Sequence, residues 1–327
     1  MAQQHDLKLA GKLRDARALI FEQLGRTVVG QTETASQILI TLFSGGHALL
    51  VGVPGLAKTL MVSTLAEILD LKFSRIQFTP DLMPSDITGY DIIEQDHETG
   101  KREARYIEGP VFANLLLADE INRTPPKTQA ALLQAMQEKE VTFGGVTRKL
   151  APPFFVLATQ NPIEQEGTYP LPEAQLDRFL MQINVGYPSR QEEELIASSA
   201  APAAASAHKV LDQREMTELQ ELVRAVPVPR EIIEAAVKMA RSSRPDGDAP
   251  DYVSKWVTWG AGPRASQALV LAARARCLLE GRFAVSADDL RYVAAPVLRH
   301  RIITGFQAEA DGIRPDEIIS RLVAEAL

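Results

Sequence analysis

The chain has 327 residues, 46% hydrophobic and 24% charged, which is enough for two domains or one large one with a sizeable core. Its net charge of −7 argues against the broad counterion-releasing surface of a general nucleic-acid binder and leaves room only for a local basic channel. A single cysteine, Cys277, excludes an internal disulfide, and five scattered histidines form no metal-ligand cluster, so any metal is expected to be Mg2+ brought with a nucleotide.

The N-terminus, MAQQHDLKLAGKLRDAR, has no secretory apolar region, and no apolar run approaches a membrane span. A cytoplasmic protein is expected. Residues 7–24 read as an amphipathic helix, and 34–42 as a second helix after Val28-Val29-Gly30-Gln31. His47 to Val51 reads as a buried strand. It runs into VGVPGLAKTL, residues 51–60, after which Leu60, Met61, Leu65, Ile68 and Leu69 recur at helical spacing.

Strand, tight loop and helix in this order are the layout of a phosphate-binding loop. Backbone N–H groups wrap the phosphates, and the helix N-terminus faces their charge. The loop from Gly52 through Pro54, Gly55, Leu56 and Ala57 to Leu60 is expected to do the wrapping, with Lys58 reaching the β- and γ-phosphates and Thr59 offering its hydroxyl to Mg2+. The usual pattern has glycine before the lysine, where this chain has Ala57. A right-handed backbone in the first helical turn would accept alanine there. A plain strand–helix turn with a surface lysine has the same letters, so further residues must decide.

Residues 73–78 alternate like a strand and 80–86 read as a loop. A hairpin is expected over 90–107 around DHETGK, a buried strand over 115–118 and a helix over 129–138. VTFGGVTRKL forms a second hairpin around Gly144-Gly145, and 154–159 is another buried strand. Strands alternating with helices indicate an α/β unit with a parallel sheet. The apolar strand at 115–118 ends in Asp119 and Glu120, and the carboxyl ends of parallel strands are where ligands bind. Asp119 is assigned to Mg2+ and Glu120 to the attacking water.

After Pro188 the composition changes. SSAAPAAASAH, residues 198–208, reads as a linker or irregular helix, and from Glu215 onward no strand signal remains. Met216, Leu219, Leu222, Val223 and Val226 form one helical face; Ile232, Ile233, Ala236, Val237 and Ala240 a second; Ala268, Leu269, Ala272, Ala275 and Leu279 a third. Ser286 with Asp289 looks like the cap of a fourth helix, and Ile318, Leu322 and Ala326 suggest a last one.

GVPGLAKT, LLLADEINR, ATQNP, EQEGTYPLPEAQLDRF and GAGPRA, in this order, resemble the MoxR family of AAA+ ATPases, from VVGQ (28–31) to APVLRHRI (295–302). The resemblance implies an α/β fold: an αβα nucleotide-binding domain with a parallel sheet, then a small all-α lid. The expected limits are 1–187 for the core, with hairpin inserts near 89–108 and 141–150, 188–211 for a linker and 212–327 for the lid. It further implies ATP and Mg2+ as ligands and self-association into a ring, usually a hexamer.

The resemblance also assigns residues. Asn161, at the end of FFVLAT, matches sensor 1, whose amide can bond the γ-phosphate and the attacking water; an Asn-Pro turn is the plain alternative. Arg178 in Leu176-Asp177-Arg178-Phe179 matches the arginine finger that reaches a neighbouring subunit's γ-phosphate. Arg264 follows Gly262-Pro263 in the first turn of a helix, where the dipole disfavours a cation unless a phosphate faces it, and it matches sensor 2. Val29 and Gly30 resemble the adenine-contacting segment. Arg123 is matched without an assigned role.

The expected function is an ATP-driven, chaperone-like remodeller that matures or activates protein complexes, with von Willebrand factor A domain partners. A DNA-acting AAA+ motor is the alternative, since related helicases share the second hairpin; the acidic balance speaks against it. A non-hydrolysing scaffold is a third reading, opposed by Lys58, Glu120 and Arg178.

Overall fold

The computed structural model describes residues 2–95, 102–164, 167–198, 207–246 and 249–327. Helices α1 (Ala2–Gly25) and α2 (Thr32–Phe43) precede β1 (Ala48–Val51), which leads through the glycine-containing loop into α3 (Lys58–Ile68). Next come β2 (Phe73–Gln77), α4 (Pro84–Thr88), the hairpin β3 (Gly89–Gln95) and β4 (Arg102–Glu108), and β5 (Leu115–Asp119). A 3-10 turn at Ile121–Arg123 opens into α5 (Pro126–Glu138) and the hairpin β6 (Glu140–Phe143) and β7 (Val146–Lys149). Then follow β8 (Phe155–Gln160), α6 (Glu173–Leu176), β9 (Met181–Asn184) and α7 (Arg190–Ser198).

Five strands form one parallel sheet in the order β2-β5-β8-β1-β9. Their side chains alternate between two cores, as the two-residue period of a strand requires. Leu50, Leu115, Leu117, Phe155 and Leu157 enter one buried cluster; Leu49, Leu116, Ala118, Val156 and Ala158 enter the other. Burial on both faces explains why these strands read as continuous apolar runs. Because the strands are parallel, the ends of β1, β5 and β8 open on the same edge, with β8 between the other two.

The last third is built from α8 (Gln213–Ala225), α9 (Arg230–Ser242), α10 (Asp251–Trp256), α11 (Pro263–Leu279), α12 (Ala287–Leu298), α13 (Phe306–Ala310) and α14 (Pro315–Ala326). Its buried side chains belong to the same cluster as Leu50 and Leu117 of the sheet, so the helices pack on one sheet face without a break in the core. The expected absence of strands here is corrected: β10 (Val257–Trp259) and β11 (Ile303–Thr304) form a small antiparallel pair. Runs of two and three residues are too short to leave a periodic signal.

Three other expectations change. Part of the expected loop at 80–86 enters α4, which begins at Pro84 in the first-turn position where proline's missing N–H costs nothing. Ile233 and Val237 lie outside the core at 43% and 39% exposure, while Ala235 and Met239 replace them on the buried face of α9. Within the expected linker, residues 190–198 form α7; residues 199–206, like 96–101 where a hairpin turn is expected, lie outside the described residues.

Candidate functional site

The phosphate loop leaves β1 through one close backbone approach and one left-handed glycine. A Cβ on Gly52 would sit 2.7 Å from the Val185 carbonyl oxygen, so only hydrogen fits there. Gly55 takes φ +86°, open to glycine alone without strain. Ala57 does not enter the helix as expected: at φ 53° and ψ 22° it is left-handed and stands as the N-cap of α3. The loop must turn sharply to aim its N–H groups outward, and the residue before Lys58 absorbs that turn. Lys58 Nζ donates to the carbonyl of Val53 at 3.0 Å and to that of Gly52. Burial pushes the Lys58 ammonium below its ordinary pKa, and the nearby Asp119 and Glu120 oppose the shift.

Opposite the loop, β5 delivers Asp119, whose Oδ1 accepts from Thr159 Oγ1 at 2.6 Å and whose Oδ2 accepts from Arg75 at 2.7 and 3.1 Å. The same Thr159 hydroxyl accepts from the Glu120 N–H at 2.9 Å, fixing both acids to β8. Glu120 is left-handed at φ 56°, a conformation that costs a non-glycine residue roughly 1–2 kcal/mol. Its Oε2 accepts from Gln77 Nε2 at 2.8 Å and lies 3.0 Å from Arg123 Nε. Asn161, 7% exposed, accepts from the Ile163 N–H at 3.2 Å, and its amide also bonds Glu164.

These groups enclose two adjoining cavities that share Gly55, Leu56, Ala57 and Leu60. One, of about 470 Å3, is lined by Pro54, Lys58, Thr59, Arg75, Gln77, Asp119, Glu120, Thr159 and Asn161. The other, of about 390 Å3, is largely apolar, lined by Val28, Val29, Pro188 and Ile196 with Arg26, Thr27 and Gln31. Gly30 lies beside it at φ +70°, backed by the Glu192 carboxylate. A polar chamber carrying an ammonium, a hydroxyl and two carboxylates, joined to an apolar one, has the layout of a nucleotide site.

The sequence relatives agree. A family model described as ATPase family associated with various cellular activities (AAA) matches residues 47–181, and an AAA lid domain model matches 252–322. Chaperone MoxR1 of Mycobacterium tuberculosis is 45% identical over 316 residues, covering 96% of this chain and 82% of its own. The chain belongs to the MoxR family of AAA+ ATPases. Protein MoxR of Paracoccus denitrificans is 31% identical, with 96% and 94% of the two chains covered. A crystal structure of a Cytophaga hutchinsonii protein described as a candidate ATPase superposes with a TM-score of 0.88 at 40% identity, covering 99% of this chain and 96% of that one.

Family membership implies nucleotide binding, and the residues present fit one. The polar chamber's donor set suits a Mg2+–phosphate group: Thr59 and Asp119 would supply oxygens of the kind this ion takes. Two of the four residues assigned to catalysis lie elsewhere. Arg178, just past α6, and Arg264, in the first turn of α11, line neither cavity. Arg264 instead faces Asp177 Oδ2 at 3.5 Å. The Arg178 side chain makes no hydrogen bond or ion pair among the described residues.

Reading the sequence missed Arg75, Gln77, Thr159 and Glu164, and left Arg123 without a role. Arg75 and Gln77 stand two apart on β2, so they share a face, but only the pairing of Gln77 with Asp119 brings that face to the carboxylates. Arg123 bonds Glu164 at 2.9 Å and touches Glu120, tying the carboxylate after β5 to the loop after β8. No short-range pattern could have signalled that contact, 41 residues apart.

Proposed function

We propose that this chain hydrolyses ATP in a ring of identical subunits, six as the resemblance implies, and uses the cycle to remodel client protein complexes. The observation that supports this most is the joined pair of cavities, apolar beneath Val29 and Leu56 and polar between Lys58 and Glu120. The proposed domain limits are a core over 1–187, a linker over 188–211 and a lid over 212–327.

In this reading Val29 and Gly30 hold adenine while the loop N–H groups and Lys58 hold the phosphates. Thr59 and Asp119 would hold a Mg2+ ion, whose charge would offset that of the phosphates. Glu120 orients and polarises the attacking water; its two contacts fall on Oε2, which leaves Oε1 to face the water. Asn161 holds the same water against the γ-phosphate. Arg178 of one subunit completes the neighbour's site, and Arg264 reaches a γ-phosphate as the sensor 2 arginine that the resemblance assigns.

Chaperone MoxR1 supports the remodelling role by its name, and a von Willebrand factor A domain partner is proposed from the family resemblance. Among the described residues no helix is long and apolar enough to cross a membrane, and a cytoplasmic location is part of the proposal. The DNA-motor alternative is weakened at the second hairpin. Arg148 lies 3.7 Å over the Tyr106 ring, engaged by the first hairpin instead of being held out toward a phosphate backbone.

The test mixes Arg178→Ala subunits with Glu120→Gln subunits, each expected to be inactive alone. Some mixed interfaces pair an intact Glu120 site with an intact neighbouring Arg178, so turnover should partly return. An arginine finger contributes roughly 10³–10⁵ in rate in other nucleotide hydrolases, so recovery is easily read. No recovery in rings shown to be mixed by native mass spectrometry contradicts the trans assignment. Pull-down with the Glu120→Gln protein, which should retain ATP, identifies the clients.

A further inference from the structure

Arg301 follows α12 and is only 7% exposed. Its guanidinium reaches the segment that carries Arg178, 124 residues earlier in the chain at Asp177. Nε donates to Asp177 Oδ1 at 2.8 Å. Nη2 donates to the carbonyls of Phe179 at 2.8 Å and Asp177 at 3.3 Å, and Nη1 to those of Leu180 at 3.1 Å and Val297. All five N–H donors of the fork are therefore used. The carbonyls of 177, 179 and 180 are held, and that of Arg178 between them is passed over. His300 Nε2 adds a second hydrogen bond to the Phe179 carbonyl at 3.0 Å.

The Asp177 carboxylate has a second partner. Its Oδ2 faces Arg264 Nη1 at 3.5 Å, and the Arg264 side chain is 61% exposed whereas that of Arg301 is 4% exposed. One carboxylate, next in sequence to Arg178, thus stands between a fixed arginine and a solvent-exposed one.

We infer that Arg301 is a positioning residue for Arg178, and that Asp177 couples the placement of Arg178 to the engagement of Arg264. The inference rests on the reading of Arg178 as a finger in trans. A γ-phosphate competes with Asp177 for Arg264. When Arg264 turns to the phosphate, Asp177 keeps Arg301 alone, and the segment bearing Arg178 is held by one cation instead of two. Engagement of Arg264 by a phosphate is thereby felt at the Arg178 beside it. Lysine cannot replace Arg301, because a single ammonium has three donors and no planar fork to span three carbonyls.

Arg301→Lys and Asp177→Asn are the variants. Each should bind ATP within about threefold of the parent while kcat falls roughly 10–100-fold, since a displacement of about 1 Å at a catalytic group costs on that order. Mixed with Glu120→Gln subunits, each should regain turnover, because its own Glu120 site is intact and the neighbour's Arg178 is correctly held. Arg178→Ala with Glu120→Gln is measured alongside. If that pair recovers and the Arg301→Lys and Asp177→Asn mixtures do not, Arg301 and Asp177 act within their own site, and the inference is overturned while the trans reading stands. If no mixture recovers in verified mixed rings, the trans reading itself falls. Should Arg301→Lys fail to fold, judged by loss of ATP binding, Asp177→Asn decides; unchanged kcat there overturns the inference.

Discussion

Gln31, Ala57 and Glu120 are three of the five non-glycine residues with positive φ among the described residues, and all three line the cavities. Left-handed backbone at a residue with a Cβ persists only where its surroundings impose it, and such positions gather at functional sites. Ala57 gives this a measurable sign. In the right-handed first turn expected from sequence, Ala57→Gly would destabilise by roughly 0.5–1 kcal/mol. In the left-handed N-cap observed, relief of about 1–2 kcal/mol is set against a greater entropy of the unfolded chain, so the change should be neutral or stabilising by up to about 1 kcal/mol. Denaturant midpoints decide between these, and a loss of stability contradicts the observed conformation. The letters of the loop were legible because motif chemistry is local. Its backbone state was not, because the spacing of the motif's letters does not set φ at Ala57.

The C-terminal helices show what was legible at the scale of elements. The cap at Ser286 and Asp289 was readable from a three-residue spacing, and the Ser286 N–H does donate to Asp289 at 2.9 Å. Its further work was not readable: the fully buried carboxylate also accepts from Arg276 at 2.9 Å and from Arg282 at 2.7 Å, joining α11 to the start of α12. Burial alone would raise its pKa, but the bonds from Arg282 and Ser286 outweigh it and hold the pKa below the ordinary value of 3.8. The stabilisation is therefore present above that value and lost as pH falls through the folded pKa. Asp289→Asn leaves two guanidinium groups without their buried counter-charge and should cost roughly 3–5 kcal/mol by urea unfolding. A cost below about 1 kcal/mol would show that the arginines find water instead. The two hairpins were likewise legible from turn residues, but their mutual contact was not. Tyr106 of β4 packs 5.9 Å from Phe143 of β6 and under Arg148 of β7.

Across the whole molecule, the parallel sheet was legible because its strands are buried on both faces, while the continuity of its core with the C-terminal helices was hidden in long-range packing. His47, buried just before β1, gives the molecule a pH dependence. Burial pushes its pKa down to about 4; its Nδ1 accepts from the Val156 N–H at 2.9 Å, and its Nε2 lies 3.3 Å from the Met136 carbonyl. The unfolded chain takes up a proton at about 6.5 and the folded one only near 4, so stability is full above 6.5 and declines as pH falls between those values. The loss should reach about 2 kcal/mol at pH 5, with buried His300 adding in the same direction. Thermal unfolding at pH 7 and pH 5 measures it, and His47→Gln should flatten the slope; an unchanged midpoint in the parent protein would contradict the buried neutral imidazole.

We propose that Lys58 and Glu120 serve one nucleotide in separable roles, the first binding it and the second spending it. Calorimetric titration of ATP with Mg2+ into the parent, Lys58→Ala and Glu120→Gln proteins, with phosphate release followed in parallel, tests this directly. Glu120→Gln should bind like the parent without releasing phosphate, and Lys58→Ala should lose binding by at least about 100-fold. Parent-like ATP binding by Lys58→Ala would contradict it.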